Sequence, residues 1–232
     1  MQTIVYKRPA LGQQARLGSL YDARTDRFLP ETILTEMSKE DIESIELNQA
    51  TTIFSNSDTH KDKFEMMAIG PEFMATILAG STNLQGSGNY LTEQRASFPS
   101  AHRAMHYSLH TSEDKLNLFG NSAGQHIDVN QFNRQEPTHI VTEIVWGAHC
   151  VISATRRISS EEDRDTAQKS LEDTFNQLET DHHPKPVLRQ FSGQFYSSGG
   201  DAKDQALAIK VYTDLQSEGH VAVEISLRQN NT

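Results

Sequence analysis

The chain has 232 residues, 36% of them hydrophobic, and a formal charge of -10. That length supports one substantial core, and the composition excludes a disordered, collagenous or coiled-coil protein. An acidic chain repels nucleic acid and bare anionic lipid, so no nucleic acid is expected as a partner. The single cysteine, Cys150, excludes an internal disulfide framework and any zinc site built on two or more thiolates, and it fits a reducing compartment. The opening MQTIVYKRPALGQ lacks the apolar core of about 7 to 15 residues that marks a secretory signal, and no run approaches the roughly 18 apolar residues of a spanning helix. The expected location is cytosolic, or outside the cell by a route without a classical signal peptide, with membrane association following assembly.

Between residues 3 and 34 short apolar clusters are broken by Pro9, Gly12, Gly18 and Pro30, which predicts turns around short strands or helical pieces, anchored by Leu17, Leu20 and Tyr21. Residues 42–54 alternate as a half-buried strand. Pro71 suits a first helical position, and Phe73, Met74, Ile77 and Leu78 give one apolar face to a short helix ending at Gly80. A turn is expected over Gly86, Ser87 and Gly88, then a strand over residues 103–118 with Met105, Tyr107 and Leu109 in alternation. Residues 139–155, HIVTEIVWGAHCVISAT, are the strongest strand signal, rich in Val, Ile, Thr and Trp. A helix is predicted to begin at Ser159, Ser160, Glu161 and Glu162, to bury Ala167, Leu171, Phe175 and Leu178, and to stop before His182. Strands over residues 187–196 and 221–227 enclose a helix over residues 204–215. The fold class is α+β.

Three chemical constellations can be weighed. Gly120-Asn121-Ser122-Ala123-Gly124 satisfies the nucleophile-elbow pattern, and Asp181 and His182 follow in acid-then-base order. No HGGG-type oxyanion segment or βαβ periodicity accompanies it, so a serine hydrolase is a remote alternative and the chain is expected not to be an enzyme. His102, His106 and His110 would share one face of a helix and could hold zinc, but on a strand each lies about 13 Å from the next, too far to share an ion. They would instead form a histidine-rich face whose protonation near pH 6 alters association. No phosphate loop, dinucleotide fingerprint, CxxC or HExxH occurs, so no cofactor, metal or small-molecule substrate is expected.

Five pieces in order carry a family resemblance. LGSLYDAR, with Leu17, Gly18, Leu20, Tyr21 and Asp22, sits within residues 10–24; then come LAGSTNLQGSGNYL over residues 78–91, THIVTEIVWGAHCVIS over 138–153, FSGQFYSSG over 191–199 and ALAIKVYTDL over 206–215. Together they resemble the N-terminal domain of stonustoxin- and neoverrucotoxin-type proteins, within the perforin-like (MACPF/CDC) pore-forming superfamily. Trp146, Gly147 and His149 resemble the superfamily's aromatic-glycine signature, where glycine lets a bent strand pass close to its neighbour. The resemblance implies a bent, twisted, mainly antiparallel sheet of about four strands flanked by helical clusters, one perforin-like domain over residues 1–232, and leaves open a longer native polypeptide. The most economical role for Tyr21, Trp146, Gly147, His149 and Tyr212 is structural.

In that superfamily two helical clusters unwind into membrane hairpins, which requires alternating apolar strands of about 9 to 11 residues. Residues 71–98 meet this weakly, with Phe73, Ala75, Ile77 and Ala79 on one face; Phe73, Ile77, Leu78, Gly80, Gly86 and Gly88 are the candidate membrane or assembly residues. Residues 160–178 fail, because one phase carries Glu162, Arg164 and Glu172 and the other Glu161, Asp163, Asp165, Lys169 and Asp173. A glycine pair that could bend the sheet after the signature strand is absent from residues 151–160. The expected function is association with copies of itself or a sibling domain through sheet edges, with no lysis by the chain alone. A membrane-inserting cytolysin and a non-lytic interaction module are the alternatives, and a membrane surface is a possible second partner.

Overall fold

The long β-prone segments pair into one antiparallel sheet, seen in a computed structural model that describes residues 5–118, 126–128, 130–131, 136–159, 163–180, 192–197, 200–202 and 221–229. Its strands are β1 (Val5–Pro9), β2 (Ser19–Asp22), β3 (Arg27–Thr32), β4 (Ile42–Ser55), β5 (Ser100–Leu116), β6 (His139–Arg157), β7 (Ser192–Ser197), β8 (Gly200–Ala202) and β9 (Val221–Gln229). The Val- and Ile-rich β6 is the spine. One of its edges pairs with β5 from Ser100↔Arg157 to Lys115↔Glu143, and the other pairs with β9 and then β7. β4, β5, β6 and β7 form a meander, and β9 takes the expected strand over residues 221–227; β1, β2, β3 and β9 extend the lower end, where β2 joins β6 and β1 joins β9.

Irregularities line up across this sheet. β4 slips between Glu46 and Gln49, Gln49 pairs with His110, β5 slips between His110 and Ser112, and His110 pairs with Gly147. Bulges in neighbouring strands at one level bend and twist them together. At Gly147 an added Cβ would stand 1.7 Å from the Leu109 carbonyl oxygen, an approach no other residue type permits.

Alternation along the strands divides the core between two faces. Met105 and Ile152 lie with Ala167, Leu171 and Phe175 of helix α3 (Arg164–Thr180), while their neighbours Ala104 and Val151 face Phe64, Ile77 and Tyr90 of a first helical layer. That layer consists of α1 (His60–Met66), α2 (Pro71–Leu78) and a 3-10 segment (Gly86–Thr92). A third cluster around Leu17, Leu20, Tyr21, Ile33, Ile140 and Ile144 closes the lower end.

Several boundaries differ from the sequence expectations. Residues 5–34 hold strands and no helical piece. Helix α1 was not expected; its start is set by Thr59, whose hydroxyl accepts the Asp62 amide at 3.3 Å. Gly86, Ser87 and Gly88 open a 3-10 helix and not a simple turn, and α3 begins at Arg164, past the acidic cluster. Gly80 does end α2, in the left-handed conformation at φ +72°. The 204–215 helix, Ser122, Asp181, His182, Tyr212 and the first part of the 187–196 strand lie outside the described residues.

Candidate functional site

The candidate site is the first helical layer, where the expected membrane or assembly residues fall, with its attachment to the sheet and the outer edge of β4. The expected apolar face of α2 splits: Ile77 is buried, Phe73 and Met74 are half-buried, and Leu78 is 55% exposed. Gly86 and Gly88 are buried under the layer, where residue 88 runs against the Leu11 backbone.

The layer is tied down by charged groups. Lys63 of α1, with its side chain 1% exposed, donates to the Glu93 carbonyl at 2.8 Å and the Tyr90 carbonyl at 3.3 Å, stands 4.6 Å over the Tyr90 ring and faces the Glu93 carboxylate at 3.8 Å. Glu93 in turn accepts the Ser153 hydroxyl of β6 at 3.1 Å. Burial lowers the Lys63 pKa and raises that of Glu93, each partly offset by the other's charge.

Histidines fill the same face of the sheet. His106 donates from Nδ1 to the Met66 carbonyl at 3.1 Å and meets the His149 ring edge-on at 5.0 Å; the Ser108 hydroxyl lies 2.9 Å from His149 Nε2 and 3.2 Å from His110 Nε2. Met66 supplies only a carbonyl, which requires a proton on His106 Nδ1. The expected histidine face titrating near pH 6 is corrected here. Burial holds His102 and His106 at about 4, and burial together with His106 and His110 holds His149 well below its ordinary value. The strand placement stands, and no group among the described residues could hold a metal ion.

Leu17, Leu20 and Tyr21 are buried, Gly18 donates to the Val141 carbonyl at 2.8 Å, and Trp146 Nε1 donates to Asp114 at 2.6 Å. Asp22 accepts Arg24 Nε at 2.7 Å and the Thr25 hydroxyl at 3.0 Å; burial works against its carboxylate, but these bonds outweigh it and hold the group below its usual range. One arrangement was missed in the sequence: Arg8 and Asp26, both buried, form an ion pair, with the Tyr21 hydroxyl donating to the same carboxylate oxygen. The Arg8 guanidinium stands 5.3 Å from the Phe73 ring, linking the sheet to α2. An aspartate in a turn gives no warning of this; its left-handed φ of +52° appears only in three dimensions.

The outer edge of β4 pairs with no strand among the described residues, and Ile45 and Ile53 on it are each 40% exposed. No helix among the described residues is long and apolar enough to cross a membrane, which leaves crossing by strands open.

Comparison with known proteins agrees with this architecture. The chain is 31% identical over 143 residues to stonustoxin subunit beta of Synanceia horrida, covering 60% of this chain and 20% of that one. It is likewise 31% identical over 143 residues to cytolytic toxin-beta of Scorpaena plumieri, with the same shares covered. It thus spans about one fifth of the length of these relatives. The solved stonustoxin structure superimposes with a TM-score of 0.67 at 20% identity, over 98% of this chain and 31% of that one, which shows a common fold. The family model described as "SNTX, MACPF/CDC-like domain" matches residues 5–228, and the chain belongs to that family of pore-forming-toxin-like domains.

Proposed function

We propose that this domain acts by edge-to-edge association with copies of itself or with a sibling domain, and that alone it does not breach membranes. The observation that carries the reading is the outer edge of β4: a strand of 14 residues without proline or lysine that pairs with β5 on one side and with no strand among the described residues on the other. Such an edge is a template for another strand. Two β4 edges pairing with each other would bring the exposed Glu43 and Glu46 of both copies together, so pairing with a different edge, head to tail, is favoured. The relative named stonustoxin subunit beta is by its name one of several subunits, which supports a sibling as partner.

The absence of lysis rests on α3. Its buried stripe is Ala167, Leu171 and Phe175, and every strand phase through it carries acids and bases; each basic group at mid-bilayer costs about 2 to 4 kcal/mol. The test is dye release from liposomes together with sedimentation of the chain. Association without leakage is expected, and leakage at micromolar protein overturns the non-lytic reading. The second reading, a membrane-inserting cytolysin, is favoured by the name of cytolytic toxin-beta and by the exposed Leu78 at the end of α2. The same leakage would establish it.

A further inference from the structure

Between the loop before β2, the start of β3 and the stretch that follows α2 lies an open cavity of about 640 Å³. Its walls carry Gln14, Arg27, Asn83 and Gln85, drawn from three separate segments, so no sequence motif announces it. The volume falls within the range of about 300 to 1,000 Å³ that small-molecule sites occupy. Two of the segments are zipped together beneath it. The Gln85 amide donates to the Leu11 carbonyl at 2.9 Å, the Gln13 carboxamide donates to the Asn83 carbonyl at 3.1 Å, and a Cβ added at Gly12 would stand 2.5 Å from the Gln85 carbonyl oxygen. The wall they form is therefore preorganised.

What this wall offers is polar and uncommitted. Gln14, Arg27, Asn83 and Gln85 are exposed, and no hydrogen bond or ion pair with another described residue engages their carboxamide and guanidinium groups. A carboxamide both donates and accepts, as a sugar hydroxyl does, and a guanidinium presents paired donors that match a carboxylate. Asp26 also borders the cavity, but Arg8 and the Tyr21 hydroxyl already hold its carboxylate. The free charge of the lining is thus that of Arg27, a positive spot on a chain of formal charge -10. Phe28 is the one apolar side chain among the described walls, and Arg8 stands over its ring at 5.8 Å, so stacking on it plays no part. Such a lining does not suit a hydrocarbon ligand.

We infer that the cavity binds an acidic sugar, a pyranose carrying a carboxylate as in a uronic acid. Arg27 would take the carboxylate through two parallel N–H···O bonds, and Gln14, Asn83 and Gln85 would exchange hydrogen bonds with the ring hydroxyls. A neutral sugar leaves Arg27 unmatched and a simple carboxylate leaves the carboxamides unmatched, so each binds more weakly than the two groups joined. All four side chains face water before binding, so the net gain per bond is small and the affinity is millimolar.

The test is NMR titration of the chain with sodium glucuronate, glucose and sodium acetate at matched ionic strength, following the side-chain amide signals of Gln14, Asn83 and Gln85. Saturable millimolar binding of glucuronate is expected, with glucose and acetate about five-fold weaker. Arg27→Gln should weaken glucuronate about five-fold, to the level of glucose, and Gln85→Ala about three-fold. Arg164→Gln, which removes an exposed charge from α3, should change nothing; all three positions are exposed, so the variants leave the core intact. Shifts that do not saturate, or that acetate reproduces, overturn the site. Equal affinity for glucose, unchanged affinity in Arg27→Gln, or equal weakening by Arg164→Gln overturns the assignment to an acidic sugar. A hyaluronan tetrasaccharide separates two sources of this chemistry. Tighter binding than glucuronate supports a uronate carried on a polysaccharide, and binding no tighter supports a free sugar acid in the site.

Discussion

A methyl group placed on Gly147 would collide with the Leu109 carbonyl at the level where the two neighbouring strands β4 and β5 are irregular. Gly147→Ala is therefore expected to destabilise the chain by about 3 kcal/mol or more, seen as a lowered urea midpoint. His102 and His106 set a pH dependence. Their folded values of about 4 lie below the 6.5 of an exposed imidazole because burial disfavours the cation. The unfolded chain thus binds their protons more tightly, so the stability they confer is complete above pH 6.5 and is lost as the pH falls from 6.5 through 4. The loss is on the order of 3 kcal/mol for each. Urea midpoints should fall across that window, and His106→Gln should flatten the slope; a midpoint independent of pH contradicts neutral buried imidazoles. The strand placement of these histidines was legible in the alternation around Met105 and Tyr107. Their depth was not, because it depends on α1, whose short run H-K-D-K-F-E-M carries too few apolar residues to announce itself.

At the scale of elements, the first helical layer is held by polar contacts more than its apolar surface suggests. Removing the Lys63 charge leaves the half-buried Glu93 carboxylate without its cation, so Lys63→Ala should cost about 1 to 3 kcal/mol and should raise amide exchange in α1 and in the 3-10 segment before α3. Loss of protection in α3 first would contradict this order. Helix α3 depends on ordinary packing: Phe175 is fully buried, and Phe175→Ala should cost about 3 to 5 kcal/mol by thermal or urea melting. The stripe of Ala167, Leu171 and Phe175 was readable at helical spacing, as were β4, β6 and the Pro71 start of α2. What sequence periodicity could not supply was partnership across the chain: Lys63 with Glu93 and Ser153, Arg8 with Asp26 and Phe73. These contacts join residues far apart in sequence through single charges that leave no repeating pattern.

For the molecule as a whole, the open β4 edge and the charged α3 make separable predictions. Ile53→Lys, on the edge strand and 40% exposed, should abolish association while leaving the circular dichroism spectrum unchanged. Association that survives this change places the contact elsewhere. Cys150 gives the fold an internal reporter. It is the only cysteine, it lies in the middle of β6 in the cluster completed by Leu171 and Phe175, and burial pushes its thiol to about 12. A thiol reagent cannot reach it while α3 lies on the sheet, and the buried group is not a nucleophile at neutral pH. Any event that lifts α3 away, on a bilayer or in a ring, converts a silent sulfur into a reactive one, so the rate of alkylation becomes a clock for that opening in the unaltered chain.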